Sequence, residues 1–326
     1  MGELTEKLIS KLHEAGGFAI GFAPLHEVDS EVFQRYEAWL AEGRNGEMSY
    51  LANNLEIRRN PALLLDNGNN PQPGGTIISI AFPYFSATPY KKGKLKIARY
   101  ALGDDYHEVL RNRLRPVAAW LTEQTAKEAR ICVDTAPILE RYWAQEAGIG
   151  YISRNRQLTI PGHGSCFFLA EIITRATLQY ARQEKKKHPC LNKTTAINEQ
   201  TCIDCGACIK ACPGNALEIN NFDSRKCHSY LTIEFRGELP DSFHPLPDAL
   251  YGCDRCIEVC PMLRNSSTPQ SLPEFQPRES LLNLTTDDIK ALTPNEYATL
   301  LRHSPIKRAK LAGLLRNCQK LTQEEK

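Results

Sequence analysis

Apolar residues recur at helical spacing from the start of the chain. Leu4, Leu8 and Leu12 share one face of a helix predicted over residues 2–15, and Gly16-Gly17 closes it. Residues 18–25 (Phe-Ala-Ile-Gly-Phe-Ala-Pro-Leu) form a short apolar run that predicts a buried strand. Ser30 stands where an N-cap would start a helix through Glu42, with Gly43 as the stop. Thr76 to Phe82 is a second, β-branched strand. His107 to about Lys127 reads as an amphipathic helix with Leu110, Leu114, Val117, Ala118 and Leu121 inward. Arg130 to Val133 predicts a short strand that delivers Asp134 to its end, and Phe167 to Leu178 predicts a long one. Strands and helices alternate up to residue 180, so the chain reads as α+β, with a mixed α and β N-terminal unit.

Beyond that unit the pattern changes. Residues 181–193 are polar and basic (Arg182, Lys185, Lys186, Lys187, His188), residues 195–265 hold most of the cysteines, residues 266–278 are rich in Ser, Thr and Pro, and residues 279–317 return to helical periodicity. The predicted division is 1–190, 191–265 and 266–326, with no internal repeat. No apolar run of ~18 residues is present, so no membrane span is expected. Met1 to Leu12 is polar and charged, which speaks against a secretory signal, and Glu6 stands where myristoylation needs Ser or Thr. A cytoplasmic protein is expected.

The composition is that of an ordinary soluble protein, 42% hydrophobic and 24% charged, with net charge +2. That balance excludes a uniformly basic polymer binder; a nucleic-acid partner would need local patches. Two candidates are residues 182–187 and the tail cluster Arg302, Lys307, Arg308, Lys310 and Arg316. A solvated helix face is the plainer reading of each.

Twelve cysteines change the picture. In a reducing compartment metal or redox use outranks disulfides. Cys202-x-x-Cys205-x-x-Cys208-x-x-x-Cys212-Pro213 has the spacing of bacterial ferredoxins, in which three thiolates converge on one cubane and the fourth serves the other cluster. Cys253-x-x-Cys256-x-x-x-Cys260-Pro261 follows, and Cys227 between the runs can supply its missing ligand. Ligand exchange then assigns Cys202, Cys205, Cys208 and Cys260 to the first 4Fe–4S cluster, and Cys212, Cys227, Cys253 and Cys256 to the second. Paired zinc knuckles are the competing reading, but zinc needs neither the third Cys at this spacing nor Cys-Pro. Cys132, Cys166, Cys190 and Cys318 read as packing residues. No Gly-x-Gly-x-x-Gly joins a strand to a helix, so no dinucleotide site is indicated.

Several stretches resemble the epoxyqueuosine reductases, relatives of the reductive dehalogenases. They are Gly46-Glu47-Met48-Ser49-Tyr50-Leu51 with Arg58 and Pro61, Arg99-Tyr100-Ala101 through Asp105-Tyr106-His107, Val133-Asp134-Thr135-Ala136-Pro137-Ile138-Leu139-Glu140, residues 147–155, residues 164–169, Arg225-Lys226-Cys227 through Glu234, Gly252-Cys253-Asp254, and Ser304-Pro305-Ile306-Lys307-Arg308 with Leu315-Arg316-Asn317. The resemblance spans roughly residues 20–317. The chain departs from it at Tyr151-Ile152-Ser153-Arg154-Asn155, where relatives often carry Trp-Ile-Gly-Lys-Asn, and at Cys166, where they often carry Trp. Many relatives add a C-terminal helical-repeat domain, whose tRNA contacts are expected to be missing here.

The resemblance implies a nitroreductase-like N-terminal domain that binds cobalamin without a histidine ligand, beside a two-cluster ferredoxin-like domain and a short helical segment. It implies two-electron removal of the epoxide oxygen of epoxyqueuosine in the anticodon loop of tRNA, fed by a carrier such as a flavodoxin or ferredoxin. A monomer is expected. Asp134 becomes the candidate proton donor, which needs desolvation by the corrin and apolar neighbours to raise its pKa; its plainer role is to cap the helix starting near Ile138. Arg58, Ile152, Ser153, Arg154, Ser229, Tyr230 and Thr232 become candidate cofactor contacts, while Tyr106 and His107 fit a helix start as well as a polar pocket. Two other functions compete: a ferredoxin-type carrier with a docking domain, and a corrinoid-dependent reductase or dehalogenase of small molecules.

Overall fold

A computed structural model describes residues 2–65, 73–180, 202–264, 267 and 269–324. The basic stretch 181–193 and Cys190 lie outside the described residues. In chain order the N-terminal part contains α1 (Glu3–Glu14), β1 (Ala19–Pro24), α2 (Ser30–Ala41), α3 (Leu55–Arg59), β2 (Thr76–Pro83), β3 (Lys96–Ile97), α4 (Tyr106–Thr125), β4 (Ala129–Cys132), α5 (Glu140–Glu146), β5 (Tyr151–Ile152), β6 (Leu158–Thr159) and β7 (Phe167–Thr174). The remainder contains α6 (Ala207–Lys210), α7 (His228–Ile233), β8 (Ala249–Tyr251), α8 (Arg255–Glu258), α9 (Pro261–Arg264), α10 (Glu279–Leu282), α11 (Thr286–Ala291), α12 (Pro294–Leu300) and α13 (Lys310–Glu324).

The main sheet has the order β1-β2-β7-β4, with every neighbouring pair antiparallel. Every residue of β2 is buried, so the sheet must be covered on both faces. Alternation divides the strands between two cores. Ile78, Ile80 and Phe82 pack with Leu8 and Leu12 of α1 and with Leu110, Leu114 and Leu121 of α4. Ile77, Ile173 and Cys132 face the other way, toward Trp143 of α5 and Phe33 of α2. Each such fully buried side chain contributes roughly 1.5–3 kcal/mol. Three local expectations shift. Asp29, not Ser30, is the N-cap of α2 and makes no side-chain cap bond. The last strand ends at Thr174, short of Leu178. The N-cap of α5 is Leu139, so Asp134 is not its cap.

The cysteine-rich part is fastened to the N-terminal part by backbone. β3 pairs in parallel with β8, and Leu95 N–H donates to the Leu284 carbonyl at 2.8 Å. A shared core joins Leu95, Ile97 and Leu102 to Leu250, Leu281 and Leu314. Asn317 on α13 closes it by donating from Nδ2 to the carbonyls of Thr232 and Leu250, each at 2.9 Å. Among the described residues no helix is long and apolar enough to cross a membrane.

Candidate active site and cluster-binding loops

Among the described residues the cysteines are free, and eight of them gather into two groups. Cys208 lies near Cys202, Cys205 and Cys260, and these four line one cavity. Cys253 lies near Cys227 and Cys212, and Cys256 lies near all three. The groups approach each other where Cys256 nears Cys208, across the packing of α6 on α8. The first four thiols line a cavity, and among the described residues no three His, Cys, Asp or Glu close on a single-ion position. Backbone N–H groups already aim at the sulfurs. Ala216 N–H donates to Cys212 Sγ at 3.3 Å, and the amides of Ser229 and Tyr230 face Cys227. Burial pushes the Cys208 thiol up to about 11 and that of Cys253 up to about 12. Ionising such thiols requires a bound cation, and iron fits this donor set. Cys132, Cys166 and Cys318 are buried and free.

Long-range contacts fix the cluster loops. Arg154 forks onto Asp204, between Cys202 and Cys205, with Nη2 donating to Oδ2 at 2.7 Å. Ser153 and Arg154 line the first cavity, beside Asn155, whose Nδ2 donates to the Cys256 carbonyl at 3.4 Å. Ile152 N–H donates to Gln145 Oε1 at 3.1 Å, anchoring this strand to α5. Gly214 lies flat against the Cys227 loop: a Cβ there would fall 1.9 Å from the Lys226 carbonyl oxygen. Gly214→Ala must therefore move the backbone beside Cys227. The expected result is loss of one cluster, about half of the bound iron, measured by iron and sulfide analysis of anaerobically purified protein.

Asp134 follows β4 in the left-handed region, at φ 51°. Its N–H donates to Glu140 Oε1 at 2.5 Å. Its Oδ2 lies 2.9 Å from His107 Nε2, and His107 Nδ1 lies 2.7 Å from Asp105 Oδ1. Burial alone would lower the His107 pKa, but hydrogen bonds to the two carboxylates lift it to about 9. For Asp134, burial pulls upward, yet the hydrogen bond and charge of His107 hold the carboxyl below the usual range. The protein groups alone thus favour an imidazolium and a carboxylate at neutral pH, so any upward push on Asp134 is left to the corrin. Glu140 goes the other way, pushed up to about 8 by burial and by the Asp134 charge. The Asp134 side chain is 53% exposed, so its carboxylate is open to solvent on one side.

Residues 46–58 come near Asp134 through Tyr50, and they pack on α7 through Tyr230. Arg58 is buried, and its Nε and Nη2 donate to the carbonyls of Asn53 and Tyr50 at 3.2 and 3.1 Å. Tyr50 is 42% exposed, and Asp134, Glu234 and Arg308 all act on its hydroxyl. Tyr230 accepts the Glu47 N–H at 2.8 Å, and it abuts Gly46 so closely that a Cβ would meet the phenol oxygen at 2.4 Å. Ser229 is half-buried beside Cys227. Thr232 is buried and braces the fold, accepting Gly252 N–H at 2.9 Å. In the tail cluster, Arg308 pairs with Glu234, and Arg316 donates to the carbonyls of Leu231, Phe235 and Gly237. Arg302, Lys307 and Lys310 remain exposed.

Comparison with known proteins places this geometry. A 4Fe-4S double cluster binding domain matches residues 201–263, and the model described as epoxyqueuosine reductase QueG, DUF1730 matches residues 58–135. The epoxyqueuosine reductase of Cellulophaga algicola is 34% identical over 305 residues, 93% of this chain and 92% of that one. The chain belongs to the epoxyqueuosine reductase family. The family member from Synechocystis sp. is likewise 34% identical, over 92% of this chain and 99% of its own length. Among solved epoxyqueuosine reductases, one with an epoxyqueuosine-modified tRNA-Tyr stem loop is 26% identical, with TM-score 0.81 over 98% of this chain and 80% of that one. Another, from Bacillus subtilis with an aspartate catalytic loop swung out of the active site, is 25% identical, with TM-score 0.82 over 98% of this chain and 81% of that one. Epoxyqueuosine reductases are oxidoreductases, and the iron–sulfur reading of the cysteines stands with the matched double-cluster domain. Sequence reasoning gave His107 no firm role, because one of its two partners, Asp134, comes from a loop 27 residues away in the chain.

Proposed function

We propose that this chain reduces epoxyqueuosine at the wobble position of tRNA to queuosine, with cobalamin bound between Asp134 and the segment formed by residues 46–58 and α7. The observation that carries this reading is a proton-bearing His107–Asp134 pair within electrostatic reach of Tyr50, on a segment that packs through Tyr230 against the Cys227 ligand loop. Cys202, Cys205, Cys208 and Cys260 hold the first 4Fe–4S cluster, and Cys212, Cys227, Cys253 and Cys256 hold the second. The fit to a corrin rests on accessible hydroxyls: those of exposed Tyr50 and half-buried Ser229 suit a neutral macrocycle rimmed with amides, while buried Arg58 and Tyr230 hold the Tyr50 segment in place behind them. Both nitrogens of His107 are held by carboxylates, which suits binding without a histidine ligand. Ile152, Ser153, Arg154 and Thr232 support the same cofactors from the cluster-loop side.

Cobalamin, when bound and reduced, supplies an electron pair for cleaving a carbon–oxygen bond. The residues do the rest. Asp134 delivers a proton to the departing epoxide oxygen, a poor leaving group unless protonated as its bond breaks. The solved Bacillus subtilis relative, with its aspartate catalytic loop displaced, supports giving this role to the Asp134 loop. Net reaction consumes two electrons and two protons and releases water. Exposed Arg302, Lys307 and Lys310 offer phosphate contacts to the tRNA stem loop. The proposed units are residues 1–190 for cobalamin, 191–265 for the clusters and 266–326 for the C-terminal helices. The enzyme works as a cytoplasmic monomer, supplied by a flavodoxin- or ferredoxin-type carrier.

The test is turnover of epoxyqueuosine-containing tRNA by anaerobically purified protein, with and without added cobalamin. Conversion that depends on cobalamin, with corrinoid absorbance retained on the protein, is expected. Iron-loaded protein that neither retains the corrinoid nor converts the tRNA would be an electron carrier, and the proposal would fall.

A further inference from the structure

The hydrogen-bonded line Asp105–His107–Asp134 has the form of a triad: an outer carboxylate holds one ring nitrogen, and the other nitrogen faces the reacting carboxyl. The distances are 2.7 Å on the Asp105 side and 2.9 Å on the Asp134 side. The ring is fixed further by stacking on Tyr106, with centroids 4.0 Å apart. Asp105 Oδ1 also accepts the His107 N–H at 3.0 Å, which locks the start of α4 in place. Only 22% of the His107 side chain is exposed, so the ring is not an ordinary surface histidine.

We propose that His107 is the source of the proton Asp134 delivers, and that Asp105 is a positioning residue that holds the ring and its charge. This rests on the activity proposed above and deepens it by naming where the acid's proton comes from. In the transfer, the His107 Nε2–H bond breaks and an Asp134 Oδ2–H bond forms. The Asp134 proton then passes to the departing oxygen as its carbon–oxygen bond breaks. The neutral ring keeps its remaining hydrogen on Nδ1, against Asp105. The second proton of the net reaction comes from solvent as hydroxide leaves as water, and both electrons come from the external carrier through the clusters.

The surroundings favour a charged ring before transfer. Asp105 and Asp134 bond to it directly, and Glu140 is near Asp134. Opposing cations stand one step away: Arg111 donates to Thr135 Oγ1 and the Val133 carbonyl, Arg141 acts on Asp134, and Lys307 acts on Asp105. Neither Arg111 nor Lys307 bonds to the ring, so each moderates the imidazolium without displacing it.

The test is single-turnover reduction as a function of pH by the cobalamin- and iron-loaded enzyme. His107→Gln keeps a hydrogen-bond donor toward Asp134 but carries no transferable proton. Its rate is expected to fall about 100-fold, with tRNA affinity held and partial rescue by added imidazole. The wild-type rate should decline on the alkaline side, near the point where the ring loses its charge, about pH 9. Asp105→Asn keeps an acceptor for both His107 bonds but removes a charge, so the alkaline limb should move to lower pH by about one unit. A purely structural His107 would lose rate equally at every pH and show no rescue. A His107→Gln rate within about threefold of wild type, or an alkaline limb unmoved in Asp105→Asn, overturns the proposal. Failure of the wild-type protein to convert the tRNA would instead sink the activity, and this role with it.

Discussion

An Asp134→Asn variant is expected to turn over epoxyqueuosine-containing tRNA about 1000-fold more slowly than the wild-type protein. The substitution isolates the proton. Asn matches Asp in size, and it tolerates the left-handed backbone that Asp134 adopts at φ 51°, where Ala would add strain. The Asp134 N–H bond to Glu140 is a backbone bond and survives. Asn can accept from His107 but cannot take its proton and pass it on. Cobalamin absorbance, iron content and tRNA affinity should therefore stay near wild type while the chemical step slows. A variant that keeps more than about one-tenth of the rate would remove Asp134 from proton delivery.

The same pair sets the direction of a pH effect on stability. The His107 pKa is raised in the fold, so its contribution is complete below the unfolded imidazole value near ~6.5 and is lost as pH rises through about 9. The Asp134 pKa is lowered, so its contribution is present above the unfolded carboxyl value near ~3.9 and is lost as pH falls through the depressed folded value. The pair therefore supports the loop between these limits. Asp134→Asn should narrow that window from the alkaline side, because His107 loses one of its two carboxylates and gives up its proton at lower pH.

What the sequence made legible was local. The strands at residues 76–83 and 167–174 carry long apolar runs, and both are central in the sheet with their faces covered. The cysteine spacing predicts two groups of four, and the thiols gather in those groups because each short Cys-x-x-Cys step leaves little freedom. The antiparallel order β1-β2-β7-β4 was not legible, since strand order depends on how α1, α4 and α5 distribute over the two faces. The charge state of Asp134 was not legible either. Burial was the only influence visible along the chain, and burial does push its pKa upward. The decisive partner, His107, comes from α4, and the sign reverses only once that helix is packed beside β4. Arg154 and Arg316 show the same limit: in sequence each resembles a free surface cation, while in the fold each is tied to backbone or carboxylate groups of a distant loop.

Cysteine replacements should reveal the crossing of the two runs. Cys212 lies in the first run but is grouped with Cys227, Cys253 and Cys256; Cys260 lies in the second run but is grouped with Cys202, Cys205 and Cys208. Each replacement should leave about four irons per chain and abolish tRNA reduction, because a relay with one cluster missing carries no current. The electron paramagnetic resonance spectrum of the survivor then identifies the lost partner. Cys212→Ala and Cys253→Ala should share one residual spectrum, and Cys260→Ala and Cys205→Ala should share the other. If the runs were independent, Cys212→Ala would instead match Cys205→Ala. The proposed crossing has a physical consequence: with a thiolate from each run at the neighbouring cluster, neither loop could move without disturbing both clusters. Crossed ligation would thereby fix the approach of Cys208 to Cys256 across α6 and α8, on which electron transfer between clusters, which falls steeply with distance, would depend.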